Sequence, residues 1–152
     1  GQDRDIYTLN PLDPTSDKKI AENVGGGWGV VDWSSNDSKL LLQEGISVNE
    51  TRLYLVDINT GTKTRLLPEK DERTTYSGIS FSKDEKGIYL ITNKDSEFNR
   101  LAYYNLSTKK LDFISSPIPW DVEDADLSKD GSTLAFVTNE NGLSKLYLLS
   151  TL

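Results

Sequence analysis

The chain repeats one phrase. Ser128-Lys129-Asp130-Gly131-Ser132-Thr133 leads into Leu134-Ala135-Phe136-Val137-Thr138-Asn139. Earlier, Ser82-Lys83-Asp84-Glu85-Lys86-Gly87 leads into Ile88-Tyr89-Leu90-Ile91-Thr92-Asn93, and a worn copy runs from Ser34 to Glu44. Each reads as a tight turn feeding a short apolar strand. Asp can hydrogen-bond its own backbone, Gly takes a positive φ without a Cβ clash, and the run that follows favours β structure. A phrase that recurs at a fixed period constrains the fold more than any composition does.

Two landmarks measure the period. The residues just before the turn, Trp33, Phe81 and Leu127, lie 48 and 46 residues apart. The starts of a later strand, Ile6, Leu53, Leu101 and Leu146, lie 47, 48 and 45 apart. Each full repeat holds four strand signals. The first is apolar (Gly29-Val30-Val31-Asp32-Trp33), the second follows the turn, and the third alternates (Arg52-Leu53-Tyr54-Leu55-Val56-Asp57). The fourth is polar (Thr62-Lys63-Thr64-Arg65-Leu66-Leu67). Helical periodicity is weak throughout. Only Asp17 to Asn23 has a helix-like spacing, and it reads better as a fourth strand.

Four short strands per repeat of about 40–50 residues is the pattern of β-propeller blades. The expectation is an all-β chain, residues 1–152 forming one propeller fragment of antiparallel four-stranded blades, about three blade equivalents in all. Residues 5–22 supply the last two strands of a blade, 29–68 and 77–115 supply whole blades, and 123–152 supply three strands. One blade cannot cover both of its own faces. The bare ends of such an arc imply something that completes it, and a homodimer joined head to tail, sharing strands to close a six-bladed ring, is one expected partner.

The 152 residues carry a net charge of −7. That argues against nucleic acid, which wants a basic stripe, and against an anionic membrane surface. No apolar run approaches the length of a membrane span, and Gly1-Gln2-Asp3-Arg4-Asp5 is too polar for a signal peptide. The compartment stays open between periplasm and cytoplasm. The chain has neither Cys nor His. A Ser-His-Asp triad, a Cys-His pair and a His-ligated zinc site therefore cannot be built within it. No cofactor or metal is expected, and no catalytic residue is assigned.

Among candidate sites, Asp121, Glu123, Asp124 and Asp126 cluster beside Trp120. Oxygen ligands at such spacing can hold Ca²⁺, but the EF-hand order is absent and a solvated acidic loop is the plainer reading. Carboxylates near a channel also attract a peptide's amino terminus. Trp120, Asp121 and Glu123 are therefore the expected substrate-binding residues. Trp28 and Trp33 sit near blade starts, and Trp33, equivalent to Phe81 and Leu127, is expected in the core. Gly25-Gly26-Gly27-Trp28-Gly29 lacks the Lys-Ser/Thr of a phosphate loop and reads as a flexible connection. Asn36, Asn49 and Asn105 each open a glycosylation sequon, but Asn36 and Asn105 fall in turns, where Asn has its own structural use.

The phrase Phe81-Ser82-Lys83-Asp84, with Gly87-Ile88-Tyr89-Leu90-Ile91-Thr92-Asn93, resembles the blade of Tol-type, WD-like propellers, with Lys where that family usually has Pro. Three segments, Asp95 to Tyr103, Ile118 to Glu123 and Leu134 to Gly142, resemble the propeller domain of prolyl oligopeptidase-family serine peptidases of the acylaminoacyl- or dipeptidyl-peptidase sort. That resemblance implies a non-catalytic propeller that filters and orients peptides for an α/β-hydrolase domain outside this chain. No triad carries over, because the chain has no Gly-x-Ser-x-Gly elbow and no His. A Tol-like protein-binding module is the alternative.

Overall fold

In a computed structural model, residues 3–151 are described. Gly1 and Gln2 of the polar N-terminus, and Leu152 at the end of the last strand set, lie outside them. The described chain is all β, as expected, with thirteen strands in four antiparallel sheets. Strands β1 (Ile6–Asn10) and β2 (Asp13–Ala21) form a hairpin, so Asp17 to Ala21 is strand rather than helix. Sheet I runs β3 (Trp28–Trp33), β4 (Lys39–Ser47), β5 (Glu50–Asp57), β6 (Lys63–Leu67). Sheet II runs β7 (Tyr76–Phe81), β8 (Gly87–Thr92), β9 (Arg100–Asn105), β10 (Leu111–Phe113). Sheet III runs β11 (Val122–Leu127), β12 (Thr133–Glu140), β13 (Leu143–Ser150).

The repeated phrase makes the same turn three times. The hydroxyls of Ser34, Ser82 and Ser128 accept the backbone N–H of Lys39, Gly87 and Thr133 at 2.8, 3.1 and 3.0 Å. Two residues later, the side-chain oxygen of Asn36, Asp84 or Asp130 accepts the N–H of Ser38, Lys86 or Ser132 at 3.0–3.1 Å. The next residue takes a positive φ in every copy: Asp37 at 57°, Glu85 at 56° and Gly131 at 72°. Only at Gly131 does packing also demand glycine, because a Cβ there would collide with the Cβ of Lys83.

The sheets stack face to face, and each junction has its own core. Between hairpin and sheet I lie Ile20, Trp28, Leu40, Leu42 and Val56. Sheets I and II enclose Leu41, Leu53, Tyr76, Ile88 and Leu90. Sheets II and III enclose Tyr89, Leu101, Val122, Leu134 and Phe136. The innermost strands β3, β7 and β11 lie side by side, and each carries one bulge, at Val31, Ile79 and Glu123. Bulges sharpen the twist of these short inner strands.

Polar side chains stitch the first two sheets together. Asp32 Oδ2 accepts Phe81 N–H at 2.8 Å, and Gln43 Oε1 accepts Gly78 N–H at 3.1 Å. The Thr51 hydroxyl donates to Tyr76 O at 2.9 Å and accepts Tyr76 N–H at 2.6 Å. The Glu85 carboxylate clasps the preceding turn through Ser35 Oγ and Asn36 Nδ2 at 2.5 and 2.9 Å.

Trp33 departs from expectation. It is 39% exposed, whereas Phe81 is buried. Trp33 pairs with Leu40, so it faces the hairpin side of sheet I. The hairpin side leaves this end of β3 open: Val30, which faces the same way, is also exposed, whereas Trp28 at the start of the strand is buried in the core beneath the hairpin. Trp28 is the buried indole, donating its Nε1–H to Val24 O at 3.0 Å. The glycine run is also not slack. Gly45 N–H donates to Gly27 O at 2.8 Å, and a Cβ on Gly27 would run into the Gly45 carbonyl.

Candidate functional site

The end of the stack that holds the β4–β5 and β8–β9 loops bears a groove of about 530 Å³ between sheets II and III. Ile91 and Val122 give it an apolar floor. Asn49, Asn93, Asn99, Asp121 and Glu123 give it a polar rim. Asp121 sits where the chain enters β11. Its Oδ1 accepts Asn99 N–H at 2.7 Å, and its carbonyl accepts Asn139 N–H at 3.1 Å. These bonds hold the carboxylate against the loop before β9. Glu123 is the bulged residue of β11, and Oε1 accepts Asn139 Nδ2 at 3.0 Å. The bulge re-aims its side chain toward the groove, a usual role for bulges beside sites.

Of the three residues expected at the site, Asp121 and Glu123 share this groove. Trp120 is half-buried in the preceding bend and is not among its lining residues. Asp124 and Asp126 lie instead on the channel side, in a second cavity of about 500 Å³ walled by the innermost strands. The four acidic residues are thus divided between two cavities. Among the described residues no group of three or more carboxylates, His or Cys is placed to hold a metal ion.

Beside the groove stands an ion cluster that the sequence reading missed. Lys94 Nζ lies 2.6 Å from Glu72 Oε2, and the Tyr76 hydroxyl donates to the same carboxylate. Burial alone would raise the Glu72 pKa, but the Lys94 and Tyr76 bonds outweigh it and hold the carboxyl below its ordinary range. Burial, reinforced by that carboxylate, pushes the Tyr76 phenol up. The cluster joins the loop before β7 to the β8–β9 loop, so it braces the wall that carries Asn93. Glu72 and Lys94 are 22 residues apart, and nothing in their local sequence marks them as partners.

The arrangement offers an acidic, carboxamide-lined cleft with fixed acceptors, and no nucleophile paired with a base. Hydrogen bonding occupies one oxygen of Asp121 and one of Glu123, which leaves each carboxylate an oxygen for a cationic or N–H-bearing ligand.

No protein-family model matches the sequence, and no curated protein does either. Solved structures do match. TolB from Acinetobacter baumannii superposes with a TM-score of 0.71 at 14% identity, over 98% of this chain and 38% of that one. A prolyl endopeptidase gives 0.73 at 12% identity, over 97% of this chain and 24% of that one. The β-propeller domain of the Trilobed protease from Pyrococcus furiosus gives 0.65 at 17%, over all of this chain and 48% of that one. The chain therefore spans about half or less of the length of each. At such identities the likeness concerns architecture alone: the chain has the β-propeller fold found in TolB and in the propeller domains of prolyl oligopeptidases.

Proposed function

We propose that this chain is the non-catalytic propeller segment of a serine peptidase. It gates and orients peptide substrates for a hydrolase domain carried outside these residues. One observation supports this reading above others: the groove that pairs Asp121 with Glu123 over an apolar floor. An extended peptide has an amino-terminal ammonium and a row of N–H donors, and this cleft offers fixed acceptors for both. The absence of His and of a nucleophile elbow assigns the bond-breaking step to another domain.

The alternative is a TolB-like propeller acting as a protein-binding module, supported by a likeness to TolB as good as that to the peptidases. The coding frame past Leu152 separates the two. A Gly-x-Ser-x-Gly elbow followed by Asp and then His supports the peptidase, and further blades without them support the module. The groove is tested separately. In a titration of short peptides, Asp121→Asn with Glu123→Gln is expected to weaken binding of peptides with a free amino terminus. Their N-acetylated counterparts should be affected less. Equal affinity for wild type and the double variant would remove the groove from the reading.

A further inference from the structure

The polar ties between sheets I and II can be followed, position by position, into the next junction. Asp32 Oδ2 holds the Phe81 N–H. One repeat later the same place belongs to Ser80: Asp32 lies opposite Leu41, Ser80 lies opposite Tyr89, and both side chains face the sheet that follows. A Ser oxygen stands one bond nearer the backbone than an Asp oxygen. The Ser80 Oγ atom is buried and makes no hydrogen bond. Gln43, which holds the Gly78 N–H, lies opposite Gly29 and Leu53. Its place between Ser77 and Leu101 is taken by Ile91, which has no polar atom to offer. Glu85, whose carboxylate clasps Ser35 and Asn36, holds the positive-φ place of its turn. In the next turn that place is Gly131, which has no side chain and packs its backbone against Lys83.

One tie is kept. The Thr51–Tyr76 contact has its counterpart at Asn99 and Val122, where the Val122 N–H donates to Asn99 O at 2.9 Å. The Asn99 N–H adds a bond to Asp121 Oδ1 at 2.7 Å. These bonds lie at the end of the stack that bears the groove. At the opposite end Lys83 and Lys129, both exposed, take equivalent turn positions and line one cavity of about 430 Å³ with Ser80 and Gly131. Like charges side by side favour separation.

We propose that the junction between sheets II and III is a hinge. Sheet III rocks about the Asn99 bonds and parts from sheet II beside the turns 82–86 and 128–132, while sheets I and II move as one body. Parting lets water reach the Ser80 hydroxyl, which in the closed form is a buried polar group left unpaired. The groove sits at the pivot, so Asp121 stays bound to Asn99 as the far end opens. The channel side thereby gains a second way in, between β7 and β11. The inference rests on packing alone and holds for either parent protein.

The chain has no Cys, so spin labels attach only at introduced thiols. One pair, Lys83→Cys with Lys129→Cys, spans sheets II and III. A second, Asn59→Cys with Ser107→Cys, spans sheets I and II at exposed, equivalent turn positions. Distances read by pulsed electron paramagnetic resonance are expected to show a second, longer population for the first pair and one narrow population for the second. Ser80→Asp should remove the longer population. Asp32→Ser, which adds neither bulk nor charge, should create one in the second pair, and that arm does not depend on whether Ser80→Asp folds. One narrow population for both pairs would overturn the hinge. A longer population that persists in folded Ser80→Asp, with none created by Asp32→Ser, would overturn the missing tie as its cause.

Discussion

Asp130 shows how a turn is secured by one carboxylate. Its Oδ1 accepts the Ser128 hydroxyl at 2.6 Å, the Ser132 N–H at 3.0 Å and the Ser132 hydroxyl at 2.9 Å. Those bonds hold its pKa down to about 2. A carboxyl depressed in the folded state stabilises the fold above its unfolded value of about 4, and the contribution is lost as pH falls toward 2. Asp130→Asn keeps an acceptor without the charge. Acid titrations followed by circular dichroism should show the wild-type chain losing relative stability between about pH 4 and 2, and the difference between the two proteins narrowing over that range. A constant difference would count against this assignment. These residues were legible beforehand because the turn is local: Ser, Asx and a positive-φ residue fall within four positions. Trp33 was not. Its equivalents Phe81 and Leu127 are apolar in sequence, yet its exposure depends on how much of a facing hairpin reaches it.

At the scale of the strand, Asp32, the last but one residue of β3, uses both of its carboxylate oxygens. One oxygen accepts its neighbour Trp33 N–H at 2.8 Å, and the other reaches the Phe81 N–H of the next sheet. Removing the acceptor leaves a partly buried N–H unpaired, which costs about 1–3 kcal/mol. Asp32→Ala should lower the urea midpoint accordingly, and Asp32→Asn, which keeps an acceptor oxygen, should recover most of the loss. Equal destabilisation by both would mean that charge, not acceptance, holds the junction. The period of the strands was readable from residues 45–48 apart. The contacts between sheets were not, because Asp32, Gln43 and Thr51 meet partners 49, 35 and 25 residues away. The same holds for the groove. Asp121 and Glu123 were found as an acidic run, but Asn49 from the β4–β5 turn of sheet I and Asn93 and Asn99 from sheet II reach it only through the stacking of the three sheets. Trp120, next to them in sequence, turns out to sit outside it.

The whole molecule is a row of sheets with three cores and no common centre. Leu40 lies in the first core and Leu134 in the third, and the two cores share no residue. Each Leu→Ala change should cost about 2–5 kcal/mol. Together they should add to within about 0.5 kcal/mol, because neither side chain touches a group that the other packs against. A double-mutant cycle from denaturant unfolding checks this, and a larger coupling would show that strain passes through sheet II. In such a row, energetic influence reaches only from one neighbour to the next. Sheet II has a core on each side, while the hairpin has one. Heating should therefore not release every strand at a single temperature. Amide exchange along β1 and β2 should run ahead of exchange along β8, so that the chain frays from its margins like a stack of cards held by its middle.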